Sequence, residues 1–448
     1  MKMKFMLLGI LLAVLFFTGC EKAETENNTN PTITSYERIQ NQILTVSCAI
    51  SGCHSSPNDA TYAQHGLVLA NGVSFGNLVG KSPKNAAALA DKLQLIKPFE
   101  AESSLLYHKI ECAANHHTSN YGNQMPMGGL LLTKGQVEFI KRWINNGAKL
   151  SDASVDTSLL KDTTVCLPDI TPLPAPAANE GFQLTIDPFD VPKYFEREVF
   201  VRKNTPNTQD VFVNRLQMRG RSNSHHFVVY GFRSSGSLLL PKVNEMRDLR
   251  FTNGTLNFTT LSEMQNHIFF GGGTDVNTDV TLPDGVALLF APNTPLDLNA
   301  HYFNRSSYVL KGENYVNFYT IPASSVKYIA NTLDLNNTDI ALAPNERKTF
   351  IKTFKFNTIT RVVMLTSHFH KLGEKFVIKI AGGSRNGEIV YTNTDWEHPA
   401  VISFKNPIVL NPGEGLTSEV TYNNTSSKSI SFGLTSEDEM NIIFGYYY

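Results

Sequence analysis

The spacing of hydrophobic positions changes character along this chain. Near the N-terminus Ile39, Ile43 and Val46 recur three and four residues apart, which predicts a helix over 36–47 running into "CAISGCH". The stretch "LTKGQVEFIKRWINNGAK" has the same period: Val137, Ile140 and Ile144 form one stripe. Thr133 and Gln136 have capping-box spacing, and Gly147 stands where a helix stop belongs. Beyond residue 180 the stripes disappear. Short β-rich runs such as "REVFVRK", "HHFVVYGF", "VALLFA", "FVIKIAGG" and "SISFGL" take over, divided by Asn, Gly, Pro and Ser clusters. That is the pattern of antiparallel sandwiches. Between the two regimes lies "LPDITPLPAPAANEG", Pro- and Ala-rich, which reads as a semi-rigid linker.

These boundaries predict a multidomain chain. A small, mostly α domain covers 36–150 and a linker 151–180. Two all-β antiparallel sandwiches follow, at 181–330 and 331–448, with the seam near "DLNNTDIALAPNE". At 448 residues the chain is long enough for several separate cores, and its formal net charge of −1 gives no broad attraction to nucleic acid or to an anionic membrane.

The first twenty residues bear on the compartment. Lys2 and Lys4 precede "FMLLGILLAVLFF", too short to span a bilayer comfortably and laid out like a secretory signal. It ends in "FTGC". The arrangement resembles a bacterial lipoprotein signal (residues 1–20), which implies a lipidated Cys20, a lipid anchor in the membrane, and a cell-envelope location on the periplasmic face or the outer-membrane surface. An ordinary signal peptide with an incidental Cys is the alternative. The polar segment 21–35 then suits a tether. Of the five cysteines, Cys112 and Cys166 are isolated and open to pairing, which sequence alone does not establish.

Cys48, Cys53 and His54 lie together. Two thiols beside an imidazole are what a covalently attached haem requires: two thioethers and one axial ligand. Four residues separate the thiols here, so a disulfide loop or a metal clip answers the same motif. The order "CAISGCH", "GLVL", "SSLLYHKI", "QMPMGG", "LTKGQVEFIKRWINNGAK" resembles a family of c-type cytochrome domains with widened haem motifs. The resemblance implies haem c held by Cys48, Cys53 and His54, with Met125 as sixth ligand. Met127, two residues on, and His116 and His117 compete for that place.

A second constellation lies in the β-rich half. "SNSHHFVVY" places His225 beside His226 on an apparent strand, where neighbouring side chains point to opposite faces. Either one ring is packing filler, or the strand is irregular because both rings are wanted at one place. "LNAHYFN" adds His301, "LTSHFHKLG" adds His368 and His370, and "TSEDEMNIIFGYYY" adds Met440. An HxH pair on a strand shares one face, and a thioether shifts metal preference toward Cu(I). Singly, each of these is a common core residue.

In order, and with the flanks "GFQLTIDPFDVP", "LPDGVALLFAPNTPLDLNAHYFN" and "NPGEGLTSEVTYNN", they resemble the copper type II, ascorbate-dependent monooxygenases over 180–448. The resemblance implies two jelly-roll-type sandwiches facing a shared cleft, and two copper ions. His225, His226 and His301 would hold an electron-storing copper. His368, His370 and Met440 would hold the catalytic copper that meets O2 and the C–H bond of a small-molecule substrate. Electrons would come through the haem domain, a redox partner protein or a diffusible reductant. His267 and His398 fall outside the pattern and read as structural. The peptide-amidating branch has Arg and Tyr where this chain has Thr366 and Phe444, so capture of a peptide carboxylate through those groups is not expected. Residues 167–448 contain no Cys, which leaves packing alone to hold the sandwiches. The rival reading is a copper and haem electron-transfer or copper-binding lipoprotein without hydroxylase activity. A sensor or copper store calls for additional Met or His clusters, and none is present.

Overall fold

The computed structural model describes residues 33–448 except 52, 60, 61, 114–118, 120, 123, 128, 129, 168–171, 222, 223, 234–239, 275, 276, 397, 398 and 434–437. Cys20, His116, His117 and His398 therefore lie outside the described residues. Strand outweighs helix, 42% to 16%, so β sheet dominates the molecule. Among the described residues no helix is long and apolar enough to cross a membrane.

The first helix starts at Ser35 behind a capping box between Thr34 and Glu37, runs in α form to Ile39, and continues as a π-helix over Gln40–Cys48. The wider π turn resets the buried face to Ile39, Ile43, Leu44 and Cys48. Val46, expected on the apolar stripe, is thereby turned to solvent. The helix Lys134–Asn145 forms with the Thr133–Gln136 capping box that its spacing predicts, and buries Val137, Phe139, Ile140, Trp143 and Ile144. The Tyr36 ring lies 5.1 Å from that of Trp143, which ties the two helices together. Cys112 and Cys166 are joined by a disulfide across 54 residues.

The stretch expected as a linker does more than connect. Val155, Leu159, Leu160 and Cys166 pack onto the helical core, because their side chains are apolar and the disulfide brings the segment back. Farther on, the carbonyls of Leu173 and Pro174 accept from Gln183 and Asn317 of the first sandwich at 2.7 and 2.8 Å.

Strands β1 to β10 are Gly181–Val191, Phe195–Asn204, Val211–Gly220, Ser224–Phe232, Met246–Asp248, His267–Gly273, Asn277–Thr281, Val286–Phe290, Pro295–Asn304 and Leu310–Ile321. Sheet β5-β2-β9-β4-β6 packs against β1-β10-β3-β8 around Val199, Val213, Phe290, Leu298, Val316 and Phe318. Strands β11 to β20 are Tyr328–Asn336, Ala341–Leu342, Arg347–Lys355, Thr360–His368, Gly373–Ala381, Ile389–Asn393, Ile402–Leu410, Gly415–Asn423, Ile430–Ser431 and Ile442–Tyr447. Here β13-β18-β15-β16 packs against β11-β20-β14-β17 around Leu365, Phe376, Ile378, Val420 and Tyr422.

Of the expected seam "DLNNTDIALAPNE", 337–340 and 343–346 are loop, but strand pairing runs on through residue 330. The 330/331 boundary falls inside β11. Tyr328–Ala330 pair in parallel with β8, and Asn331–Asn336 continue as the antiparallel partner of β20. One nine-stranded sheet therefore passes through both sandwiches. The faces of β20 alternate accordingly. Ile443 enters the second core, while Phe444 stacks on Phe269 at 4.6 Å and the Tyr446 hydroxyl donates to the Phe270 carbonyl. The Gly run at the end of β6 permits this closeness. At Gly271 a Cβ would stand 3.0 Å from the Tyr446 hydroxyl oxygen.

Candidate metal centres

A β-bulge explains the adjacent histidines. In the β4–β9 ladder Ser224 faces Tyr302 and His226 faces His301, so β4 spends two residues where β9 spends one. His225 is the extra residue, and the kink turns both rings to the same side. The Nδ1 atoms of His225 and His226 are 3.3 Å apart, and ligand nitrogens of His225, His226 and His301 all lie within 4.8 Å of one another.

Strand β14 ends at His368, and Nε2 of His368 lies 3.2 Å from Nε2 of His370. Two nitrogens bound to one tetrahedral ion at about 2.0–2.1 Å are separated by about 3.3 Å. Both pairs have the spacing of a metal chelate. Met440, buried just before β20, lines the same space as the HxH pair. Both donor sets open on one cavity of ≈ 680 Å³ between the sandwiches. Its lining includes the aromatic rings of Phe269, Trp396, Phe432 and Phe444, and polar groups such as Thr366 and the Arg233–Asp334 ion pair.

Hydrogen bonding fixes which ring nitrogens remain available. Asn299 Nδ2 donates to the Val199 carbonyl at 3.2 Å and to Glu198 Oε1 at 3.0 Å, so its Oδ1 is the acceptor for His226 Nε2 at 2.8 Å. His301 Nε2 donates to Glu196 Oε1 at 2.8 Å, and His370 Nδ1 donates to the Asp438 carbonyl at 2.8 Å. The opposite nitrogens, Nδ1 of His226 and His301 and Nε2 of His370, keep their lone pairs toward the cavity. A remote ring N–H engaged by an acceptor is how metal-ligating histidines are oriented. The donor chemistry fits a copper ion at each set: three imidazoles at one, and two imidazoles with a thioether at the other.

The electrostatics of the two sets differ. Burial lowers His301, but Glu198 and Glu196 outweigh it, and the ring ends above the usual histidine value. Glu198 opposes its own burial through His301 and His226 and is held down to about 2. Burial and the neighbouring His370 ring push His368 down to about 3, and burial also lowers His370. The first set favours positive charge; the second is built from neutral rings.

Sequence reasoning missed four residues here: Glu196, Glu198, Asn299 and Glu439. Glu196 and Glu198 alternate on β2 with Arg197 between them, but their proximity to His301 follows only from the β2–β9 register, which sets Glu198 opposite His301. Glu439 is fully buried and accepts from the backbone N–H groups of His370 and Leu372 at 2.9 and 2.8 Å. It pins the HxH turn to the Met440 segment. His267 also reaches the cavity, but its Nε2 is committed to Asp297 at 2.9 Å.

In the helical part neither Cys48 nor Cys53 is disulfide-bonded, and Cys48 is buried at the end of the π-helix. His54 Nδ1 meets the Leu67 carbonyl at 3.0 Å, which makes Nε2 the acceptor nitrogen of the ring. Met125 packs against the cluster that contains Cys48. Unforeseen from the motif is His65, whose ring centroid lies 4.1 Å from that of His54 and whose pKa burial drives down to about 4.

Residues 329–448 match the family model of the copper type II ascorbate-dependent monooxygenase C-terminal domain. His368, His370 and Met440 fall inside this match; His225, His226, His301 and the Cys48–His54 motif fall outside it. The match supports copper as the metal and a monooxygenase family for this part of the chain. No curated protein matches the chain. Among solved structures, the STIV MCP is 8% identical, with 60% of this chain and 96% of that one covered at a TM-score of 0.27. The major capsid protein of bacteriophage PM2 is 8% identical, with 56% and 97% covered at 0.25. PNGase F, a glycosylasparaginase from Flavobacterium meningosepticum, is 10% identical, with 63% and 94% covered at 0.21. Scores this low carry no argument about the fold or function of this protein.

Proposed function

We propose that this protein is a two-copper monooxygenase that hydroxylates a C–H bond of a small molecule with O2. The supporting observation is that a three-histidine cluster and a close HxH pair open on one cavity, which Met440 also lines. His225, His226 and His301 would hold one copper, and His368, His370 and Met440 the other. Bound copper supplies one-electron redox chemistry and O2 activation. The chain's own groups do the rest. Asn299, Glu196 and the Asp438 carbonyl orient the rings. The Met440 thioether favours the cuprous state. Phe269, Trp396, Phe432 and Phe444 give the cavity aromatic surface on which an apolar C–H donor can pack.

Metal-free protein should take up two equivalents of copper. Reduced, loaded protein should consume O2 and release hydroxylated product from at least one member of an apolar C–H substrate panel. Copper uptake without product from any member would leave electron transfer as the better account.

The helical part we read as a haem c domain that passes electrons toward the coppers, with Cys48 and Cys53 as thioether sites, His54 as axial ligand and Met125 as the other. The absence of a disulfide at Cys48 and Cys53 and the His54–Leu67 hydrogen bond support this. Protein made in a host with haem-attachment machinery should keep its pigment after denaturation, and Cys53→Ser should lose most of it. Colourless wild-type protein would end the haem assignment. Lipidation at Cys20 would hold the whole molecule at the cell envelope, where a membrane redox partner can reach it.

A further inference from the structure

We infer that Glu196 and Glu198 set the direction of electron flow, making the three-histidine copper the donor and the HxH–Met copper the acceptor. This rests on the two-copper reading proposed above. The two sets are backed differently. Behind the first stand two carboxylates. Glu196 Oε1 accepts from His301 Nε2 at 2.8 Å, and Glu198 Oε1 lies 3.6 Å from His226 Nε2 while accepting from Asn299.

A carboxylate on the remote N–H raises the basicity of the imidazole and adds negative charge beside the ion. Both effects favour the cupric over the cuprous state. Behind the second set His370 is oriented by a neutral backbone carbonyl, and Met440 contributes a neutral soft sulfur. Of the carboxylates near it, Glu439 spends its oxygens on two backbone N–H groups rather than on a ring, and Lys371 offsets its charge. Glu198 and Asp438 also act on these rings through their charge, yet burial outweighs them and both rings stay lowered. At the first set Arg250 offsets part of the carboxylate charge, acting on Glu196 and on His301, but the two carboxylates outweigh it at His301. The first copper is thus the more readily oxidised. One electron leaves it, Cu(I) becoming Cu(II), and the second copper is reduced by one electron. Glu196 and Glu198 exchange neither bond nor proton in this step. They are positioning residues that act through His301 and His226.

The test isolates one site. In a full-length His368→Ala/His370→Ala background the three-histidine set is the one intact copper set on the cavity. Its Cu(II)/Cu(I) midpoint is followed by electron paramagnetic resonance with native glutamates, with Glu196→Gln, with Glu198→Gln and with both. Each Gln should raise the midpoint, on the order of tenfold in the ratio of Cu(I) to Cu(II) affinity per charge removed, with copper stoichiometry unchanged and the double variant highest. In the otherwise native chain, Glu196→Gln should lower hydroxylated product per O2 consumed. A midpoint unmoved by either Gln, with copper bound, overturns the inference. Glu196, whose side chain is 45% exposed, tolerates the isosteric change even if Glu198→Gln does not fold, so that variant alone can decide. If native glutamates and three histidines bind no copper at all, the proposed function falls instead.

Discussion

Met440→His is expected to retain copper at the second site while cutting hydroxylated product by about 100-fold or more, since changes even to groups outside the ligand sphere cost 10–100-fold. The imidazole is a competent ligand, so the ion stays. What is lost is the soft donor that favours Cu(I), the state required to meet O2. Steric disruption is limited on one side by Glu439, which holds the segment through backbone groups rather than through the side chain that is exchanged. Copper content by elemental analysis and product per O2 consumed decide the matter together. Wild-type turnover in Met440→His would remove Met440 from the oxygen site. If the protein only transferred electrons, wild type itself would form no product, and the substitution would merely shift a potential.

His226→Ala should act on the other half of the chemistry. It removes a nitrogen 3.3 Å from that of His225 and leaves the Asn299 amide oxygen without its donor. Copper affinity at the first site should fall by more than 100-fold, since loss of a direct ligand exceeds the 10–100-fold cost of an outer partner. The HxH–Met site should keep its ion. With the second electron unavailable, O2 consumption and product formation should separate, leaving residual O2 uptake and little hydroxylation. Coupled turnover at the wild-type level would mean that the three-histidine cluster has another purpose.

The features of this fold that could be read from sequence are those encoded locally. Thr133, Gln136 and Gly147 mark a helix because caps and stops act within a few residues. The β-rich half announces itself through short alternating runs. The six candidate ligands stood out through their order along the chain and a family resemblance rather than through any local pattern. What escaped depends on register. The bulge at His225 exists only relative to β9. Glu198 meets His301 only because β2 pairs with β9 in that frame. Val46 was misplaced because a helical stripe assumes 3.6 residues per turn, and a π-helix breaks that count. Part of the seam that follows residue 330 is the loop that its Asn and Asp suggest. Nothing local distinguishes the rest from a strand that finds partners on both sides.

That strand, β11, has a mechanical meaning. Its first residues are bonded to β8 and its later ones to β20 without an intervening loop, so the two halves behave as one beam rather than as two bodies on a tether. Widening the cleft would require shearing strand hydrogen bonds, not straightening a hinge. If both donor sets hold copper as proposed, the span between the two ions would then be set when the chain folds.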